Sequence, residues 1–382
     1  MAHQRFDVAV IGGGIAGTSV AAELSKDRRV LLLEMESQPG YHTTGRSAAV
    51  YAAVYGPSPI RALTRASRAF FTSPSATHFS TALFRPRPIM MIARQEQAFA
   101  LDQTIAEVGV MTPVERINES AIRKLNPLVK TGYASAAMLD MSGEDIDVAA
   151  LHQGYLRQFR DFGGDLRCNA TVLGLTHTGR DWQINTGVGE FTVDTIVNAA
   201  GAWAEHIGGL AQAESIGLIP KRRTAAIVAA PTELAPNTLA SLPITIDIEE
   251  NFYLKPDAGR LLISPADETP SPACDAQPED MDIALCVERI EQAFDLQVHR
   301  IESKWAGLRS FVVDKCPVVG YSTTAPAFFW LAGQGGYGIQ TAPALARLAA
   351  SQVLQRPMPE DIAAEGVDLS EIDPSRLANR AE

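Results

Sequence analysis

A glycine-rich turn near the start of the chain constrains the fold more than any other feature. Residues 12–17 read GGGIAG, directly after an apolar, β-branched run and directly before a segment with an apolar helical stripe. Gly12, Gly14 and Gly17 therefore show the G-x-G-x-x-G spacing at a strand-to-helix turn. A second apolar run, VLLLEME, places Glu34 22 residues after Gly12 (34 minus 12), where a Rossmann unit accepts ribose hydroxyls. Together these features predict a bound dinucleotide, whereas the glycine pattern alone could be a turn without a ligand.

Composition limits the function classes. The chain has 382 residues, 46% hydrophobic and 20% charged, which exceeds the ~250 residues at which single cores stop growing. Its formal net charge of −11 argues against nucleic acid or an anionic membrane surface as a partner, because both attract basic patches. No apolar run approaches the ~20 residues of a membrane span, and the first residues lack a signal-peptide pattern. We expect a cytoplasmic protein with no transmembrane segment and, from the scattered cysteines and histidines, no metal site.

A second glycine turn narrows the identity of the dinucleotide. Residues 328–353 read as an apolar strand, a turn of several glycines and a helix, but no second strand with an acid follows. A helix N-terminus without side chains suits the N1–O2 edge of a reduced flavin, which needs partial positive charge beside it. Residues 194–204, DTIVNAAGAWA, supply a further buried strand. An N-terminal Rossmann unit completed by strands from the middle and the far part of the chain points to FAD.

Six motifs, in this order along the chain, resemble those of one enzyme family. GGGIAG, GYHTTGRSAAV, VNAAGAW, FYLKP, WAGLRSF and GQGGYGIQ are similar to motifs of the FAD-dependent amino-acid oxidases and dehydrogenases of the glycine oxidase and D-amino-acid oxidase type, with the D-arginine dehydrogenases nearest. The resemblance implies an α/β fold: a Rossmann-like FAD-binding domain and a smaller α+β substrate domain whose antiparallel β-sheet lies over the flavin. We expect residues 1–80, 140–215 and 321–370 in the FAD-binding domain and residues 81–139 and 216–320 in the substrate-binding domain.

The same resemblance implies noncovalent FAD and assigns residues to it. The implied contacts come from the glycine turn, the acid that follows it, the GYHTTGRSAAV motif, one mid-chain strand, the VNAAGAW motif and the second glycine turn. These residues are Gly12, Gly14, Ile15, Ala16, Gly17, Glu34, Gly45, Arg46, Ser47, Ala48, Ala49, Val172, Ala200, Gly201, Gly335, Gly336, Tyr337, Gly338, Ile339 and Gln340.

An amino-acid substrate carries a carboxylate, which the planar guanidinium of arginine can bind through two parallel hydrogen bonds. By resemblance, Arg309 and Arg223 bind this carboxylate and Tyr253 is their partner. The backbone carbonyl of Gly336 accepts the substrate amine. Tyr55 matches a tyrosine on a flexible lid, although an ordinary loop aromatic has the same sequence pattern.

The implied reaction is hydride transfer from the substrate Cα to flavin N5. A D-amino acid becomes an imino acid, which water hydrolyses to the 2-oxo acid and ammonia. No histidine or carboxylate stands out as a base, so positioning and a dry pocket would supply most of the acceleration. Arg222, beside Arg223, is expected to face solvent. The sequence leaves open whether oxygen or a quinone is the electron acceptor.

Three positions depart from the pattern of the D-arginine dehydrogenases. Ile89 stands where those enzymes have a glutamate that binds the substrate guanidinium, and Val50 and Ala52 replace polar lid residues. A guanidinium buried against Ile89 without a partner would be strongly disfavoured. These residues predict a pocket for a neutral, apolar side chain such as that of Leu, Met, Phe or Val. Alternatively, Ile89 packs within the sheet and specificity is determined elsewhere.

Other functions stay open at the level of sequence. Arg309 and Arg223 would bind the carboxylate equally well in a secondary amine acid such as sarcosine, another N-substituted glycine or an opine. A flavin monooxygenase also begins with the glycine turn and its acid, but no nicotinamide site is evident. A protein that binds FAD without catalysis is the remaining alternative.

Overall fold

The computed structural model describes residues 4–79 and 81–377. Residues 1–3 and Ser80, at the two ends of the first predicted segment of the FAD-binding domain, lie outside the described residues. The described part contains twenty strands: β1 Gln4–Ile11, β2 Val30–Leu33, β3 Val50–Tyr51, β4 Phe84–Pro86, β5 Ile89–Ala93, β6 Glu115–Asn118, β7 Ala136–Asp140, β8 Glu144–Ile146, β9 Asp165–Arg167, β10 Val172–His177, β11 Trp182–Thr186, β12 Gly189–Asn198, β13 Ile219–Val228, β14 Ile244–Asp247, β15 Tyr253–Asp257, β16 Arg260–Ser264, β17 Thr269–Pro270, β18 Ile301–Phe311, β19 Val318–Tyr321 and β20 Phe328–Ala332.

Ten α-helices connect these strands within the described ranges. They are α1 Ile15–Leu24, α2 Ser58–Thr72, α3 Ala98–Val108, α4 Glu119–Leu125, α5 Val148–Asp161, α6 Ala204–Leu210, α7 Pro236–Ser241, α8 Asp280–Ala293, α9 Gly338–Val353 and α10 Glu360–Ala364. None of the helices in residues 4–79 and 81–377 combines the length and apolar character needed to cross a membrane.

The first sheet has a parallel centre that carries the glycine turn. Its order is β10-β11-β12-β1-β2-β9, with β20 beside β12 and β19 beside β20. Strands β9, β2, β1, β12 and β20 pair in parallel. Alternate residues of β1 enter different cores: Val8 and Val10 pack under α1, α5 and α9, whereas Ala9 and Ile11 pack on the opposite face. A sheet covered on both faces binds ligands at the carboxyl ends of its parallel strands, which is where the turn at residues 12–14 lies.

The second sheet is mixed, which corrects the expectation of a purely antiparallel sheet. Its order is β17-β13-β16-β15-β14-β5-β7-β6, and β18 also pairs with β13. All its strand pairs are antiparallel except β14 with β5, which run parallel. The reason is that β5 and β14 are distant in sequence and do not form a hairpin, so no tight turn imposes an antiparallel direction. The α/β fold with a Rossmann-like unit is confirmed.

The strands of the second sheet come from residues 89–140 and 219–311, and a small sheet, β3-β8-β4, lies apart from both larger ones. The predicted boundary at 320/321 falls inside β19, whose four residues all belong to the first sheet. The division into two domains at the proposed boundaries stays a prediction.

Candidate active site

A single cavity of about 420 Å³ joins the glycine turn to one face of the second sheet. Its volume lies in the usual range of ligand pockets, ~300–1,000 Å³. Residues from both glycine turns, from 40–48 and from 199–207 line it, and so do residues of β13, β15 and β18. The cavity therefore connects the predicted cofactor residues with the predicted substrate residues.

Backbone geometry explains the glycines of the first turn. Gly12 has φ +106°, and a Cβ atom there would lie 2.5 Å from the carbonyl oxygen of Ala199. A Cβ on Gly17 would lie 1.8 Å from the Gly12 carbonyl oxygen, so Gly17 lets α1 approach the strand end. Gly14 lines the cavity, and its nearest contact for a Cβ is Thr44 Oγ1 at 3.2 Å. The Gly14 amide donates to no described residue, so this donor at the start of α1 is available to a ligand.

Glu34 lies beneath the turn, at the end of β2. Its Oε2 accepts a 2.8 Å hydrogen bond from the Gly13 amide, and its Oε1 accepts one of 2.9 Å from the Glu36 amide. Burial of the carboxyl group raises its pKa, although the two amide donors oppose this effect. Glu34 thus lines the cavity as a carboxylate held in place by backbone donors.

The segment from Thr43 to Ala48 links the first glycine turn to the second sheet. Thr44 Oγ1 accepts a 2.9 Å hydrogen bond from the Ile15 amide at the start of α1. Thr43 Oγ1 donates 2.7 Å to the Leu308 carbonyl in β18. Trp305 Nε1 donates 2.9 Å to the carbonyl of Arg46. Sequence reasoning did not single out Thr43, Thr44 or Trp305, because their contacts depend on residues more than 20 positions away in the chain.

Arg309 presents its guanidinium to the cavity. A Cβ atom on Gly336 would lie 2.7 Å from Arg309 Nη1, so the second glycine turn lies directly against this side chain. Within residues 4–79 and 81–377 the guanidinium has no hydrogen bond and no ion pair. Burial would lower the pKa of Arg309, but the nearby acidic groups, the tyrosines in their ionised form and Glu250, act in the opposite direction, so the net shift is upward. Arg309 is a cation available to an anionic ligand.

Arg223 faces the same cavity but is already held by the protein. Its Nε donates 2.8 Å to the Asp267 carbonyl, and its Nη2 lies 3.4 Å from Glu268 Oε1. In the ladder of β13 with β18, Arg223 lies opposite Gly307 and Lys221 lies opposite Arg309. Because directly opposed residues share a face, Arg223 and Arg309 project to the same side of the sheet.

The structure corrects the expectation that Arg222 faces solvent. Arg222 is only 8% exposed, and it forms ion pairs with Glu279 and Asp282 at the start of α8. Side chains alternate along a strand, so Arg222 projects away from the cavity when Arg223 projects into it. Sequence reasoning missed the burial because the helix that supplies the acids lies some 60 residues later.

Tyr55 lies near Arg309 and Arg223 but does not line the cavity. Its hydroxyl donates a 2.7 Å hydrogen bond to Glu250 Oε2, and its ring packs edge-on against Tyr337 at 5.1 Å. Burial, together with the negative charge of Glu250, raises the pKa of Tyr55 to about 12. Glu250, which the sequence did not indicate, adds a carboxylate beside the predicted lid tyrosine.

The three residues predicted to surround the substrate side chain do not line the cavity but lie behind its wall. Val50, Ala52 and Ile89 belong to one apolar cluster with Tyr253 and Trp305, which do line the cavity. A Cβ on Gly143 would lie 2.6 Å from Ile89 Cγ1, so that isoleucine is closely packed.

One acid adjoins this apolar layer. Asp140 lies opposite Ile89 in the β5–β7 ladder. It is fully buried, and its Oδ2 has no hydrogen-bond partner among the described residues.

The family follows from comparison with known proteins. Residues 7–352 match the sequence profile of the family described as DAO, FAD dependent oxidoreductase. The chain belongs to this family. A glycine oxidase from Geobacillus kaustophilus is 22% identical over 95% of this chain and 96% of its own length. The human mitochondrial dimethylglycine dehydrogenase is 23% identical over 97% of this chain, which spans 44% of that longer protein.

Solved structures share the fold. The crystal structure of the glycine oxidase from Geobacillus kaustophilus has a TM-score of 0.82, with 98% of this chain and 99% of that chain covered at 22% identity. The L-proline dehydrogenase from P. horikoshii has a TM-score of 0.81, with 99% of both chains covered at 18% identity. The similarity to glycine oxidases and the FAD dependence predicted from the motifs are confirmed.

The cavity fits the FAD of this family. A side chain at Gly12 would meet the backbone of Ala199 and one at Gly336 would meet Arg309, so glycine at these two positions lets the segments around the cavity approach closely. Of the predicted FAD contacts, these line the cavity: Gly12, Gly14, Ile15, Ala16, Glu34, Arg46, Ser47, Ala48, Val172, Ala200, Gly201, Gly335, Gly336, Gly338 and Ile339.

The other five predicted contacts, which are Gly17, Gly45, Ala49, Tyr337 and Gln340, do not line the cavity. Gly45 packs on the carbonyl of Gly40, to which its amide donates 2.8 Å. Gln340 Oε1 accepts a 3.0 Å hydrogen bond from the Ala52 amide, so it ties the start of α9 to the segment before Tyr55. The individual roles of all these residues stay predictions.

Proposed function

We propose that this chain oxidises a D-amino acid with a neutral side chain to the imino acid, which water then hydrolyses to the 2-oxo acid and ammonia. The observation that carries the proposal is the guanidinium of Arg309 in the cavity wall, which has no hydrogen-bond or ion-pair partner among the described residues. A half-buried cation without a partner is unfavourable, and an α-carboxylate would supply the missing anion. Arg223 and Tyr253, which line the same end of the cavity, support this assignment.

When bound, FAD would take up two electrons and the Cα hydrogen of the substrate. The residues of the chain bind and orient. Arg309 would form two charge-assisted hydrogen bonds to the carboxylate, and Gly336, directly beside it, would offer its carbonyl to the amine. The amine must lose a proton to become the imine. We assign that proton to water, because the two histidines that line the cavity, His42 and His206, lie outside β13, β15 and β18, the strands that carry Arg223, Tyr253 and Arg309.

The apolar cluster behind the wall supports a neutral side chain. Ile89, Ala52 and Val50 offer no partner to a substrate cation, so a buried guanidinium or ammonium would be disfavoured. Two acids oppose this reasoning: Asp140 lies next to Ile89 in the sheet, and Glu250 accepts a hydrogen bond from Tyr55. D-Arg and the Asp140→Asn variant therefore belong in the test.

A secondary amine acid is the second candidate. The names of the similar proteins, glycine oxidase and dimethylglycine dehydrogenase, favour it. Residues that bind the carboxylate do not restrict the substituents on the substrate nitrogen, so the same site would accept N-methylglycine or a longer N-substituted glycine.

A substrate panel on the FAD-loaded protein tests these proposals. D-Leu, D-Met, D-Phe, D-Arg, their L-forms, sarcosine and N,N-dimethylglycine would each be offered anaerobically, and flavin bleaching would be followed, then turnover with oxygen or a quinone. We expect the neutral D-amino acids to bleach the flavin fastest. If the parent protein preferred D-Arg and the Asp140→Asn variant lost this preference, the proposal of a pocket for neutral side chains would be overturned. Bleaching by NADPH alone would favour a monooxygenase.

Arg309→Met, tested with the same substrates, measures the contribution of the guanidinium to turnover. We expect it to lose about 3 kcal/mol of transition-state binding, roughly 100-fold in kcat/KM, because a charge-assisted pair is removed. Arg309→Lys should recover only part of this loss, since an ammonium group cannot form the two parallel hydrogen bonds of a planar guanidinium. Unchanged turnover in Arg309→Met would contradict the proposed clamp.

A further inference from the structure

His152 lies on α5, outside the cavity, but touches two segments that line it. It is 5% exposed. Its Nε2 lies 2.9 Å from the carbonyl oxygen of Gly13, in the middle of the glycine turn. Its ring also underlies Gly40, where a Cβ atom would lie 2.9 Å from His152 Cε1. Gly13 and Gly40 both line the cavity.

The chemistry of the contact fixes the protonation of the ring. A carbonyl oxygen only accepts hydrogen bonds, so Nε2 must carry the proton and donate it. Burial lowers the pKa of His152, which keeps the imidazole neutral at neutral pH. The neutral ring with its proton on Nε2 is thus a fixed donor to the carbonyl of Gly13.

The peptide between Gly13 and Gly14 needs such an anchor. Glycine on both sides leaves little steric resistance to rotation of this peptide plane. The amide of Gly13 is held by Glu34 and the amide of Ile15 by Thr44, but the amide of Gly14 donates to no described residue. In a trans peptide the C=O and the N–H point in opposite directions. A donor that holds the Gly13 carbonyl therefore also fixes the direction of the Gly14 N–H.

We propose that His152 is a positioning residue for the cofactor: by holding the Gly13 carbonyl it orients the free Gly14 amide to bind the pyrophosphate of FAD. A backbone N–H at a helix N-terminus is a natural donor to phosphate. The contact with Gly40 gives the same ring a second role, since it supports the loop at residues 40–45, which is closed by the hydrogen bond from the Gly45 amide to the Gly40 carbonyl.

The test is the affinity of the apoprotein for FAD, measured by quenching of flavin fluorescence. His152→Leu removes the donor at similar volume, and we expect FAD to bind about tenfold more weakly, the size of one hydrogen bond at the upper end of its usual range. His152→Gln places an amide N–H near the position of Nε2 and should bind FAD within about threefold of the parent protein. His152→Asn is too short to reach Gly13 and should resemble His152→Leu.

Leu156→Ala provides the matched control, because Leu156 is buried one turn further along α5, does not line the cavity and has no polar group to hold the Gly13 carbonyl. It should lower the melting temperature and leave the FAD dissociation constant unchanged. The proposal is overturned if His152→Leu binds FAD as tightly as the parent protein, or if His152→Gln is as impaired as His152→Asn. The comparison of Gln with Asn keeps the test decisive should His152→Leu fail to fold.

Discussion

Gly336 and Arg309 leave no space between them: a Cβ atom on the glycine would lie 2.7 Å from Nη1 of the arginine and 3.0 Å from Cζ. Contacts this short do not occur for real Cβ atoms, so a side chain at residue 336 must displace the guanidinium. The position of the substrate carboxylate would move with it.

Gly336→Ala should therefore impair substrate binding more than cofactor binding, because the added Cβ meets Arg309. We expect kcat/KM for the best amino acid to fall by about 100-fold, because displacement of the guanidinium by ~1 Å misplaces the reacting carbon. The flavin content, measured by the ratio of absorbance at 450 nm to that at 280 nm, should stay near that of the parent protein. Gly174→Ala is the control, since a Cβ there meets nothing within 4 Å. Equal activities of the two variants would contradict the prediction.

Glu34→Gln should make the stability of the apoprotein less dependent on pH and should weaken its binding of FAD. Burial raises the pKa of Glu34 in the folded protein, so the fold favours the protonated form. That contribution to stability is present below the pKa of the unfolded chain, ~4.3, and is lost as the pH rises through the folded pKa. The melting temperature of the apo parent should therefore fall relative to that of apo Glu34→Gln as the pH rises from 4.5 to 7. FAD titration at pH 7 should show weaker binding by the variant; a difference in melting temperature that is the same at both pH values would argue against this account.

Tyr55→Phe should lower kcat/KM by about three- to tenfold through loss of one hydrogen bond. Because the pKa of Tyr55 is raised to about 12, the phenol keeps its proton and its bond to Glu250 throughout the neutral and mildly alkaline range. The ratio of the two kcat/KM values should therefore be constant from pH 7 to pH 10. A ratio that collapses to one near pH 9 would show that the phenol ionises earlier. Glu250→Gln, which keeps an acceptor, should be the milder variant.

Arg222→Ala should affect stability and spare catalysis. Its ion pairs with Glu279 and Asp282 join β13 to α8 on the side away from the cavity. Their loss should lower the free energy of unfolding by about 1–3 kcal/mol, as for hydrogen bonds to charged groups, whereas kcat/KM should change less than twofold. Arg223→Ala is the informative comparison, since it should reduce kcat/KM with a smaller effect on unfolding in urea. The reverse pattern would exchange the roles of the two arginines.

Local sequence was sufficient to predict the first glycine turn and Glu34, because strand, turn and acid lie within 35 residues and their geometry is set by neighbours. The positions of Arg309 and Gly336 required a resemblance between whole motifs, since nothing in either motif alone indicates that they meet.

Contacts between distant elements could not be read from the sequence. The parallel pairing of β5 with β14, the acids around Arg222 and the carboxylate of Glu250 beside Tyr55 all depend on tertiary packing. The sequence did not indicate a role for His152, because one histidine on an amphipathic helix is usually an ordinary core residue.

Successive side chains of β13 alternate between the cavity and the acids of α8. A shift of one position in its pairing with β18 would turn Arg222 towards the cavity and Arg223 towards the acids of α8. The same shift would exchange Ala226 and Val228, which pack in one core, with Ala225 and Ile227, which pack in another. Insertions or deletions of a single residue in β13 should therefore abolish turnover and also lower the free energy of unfolding.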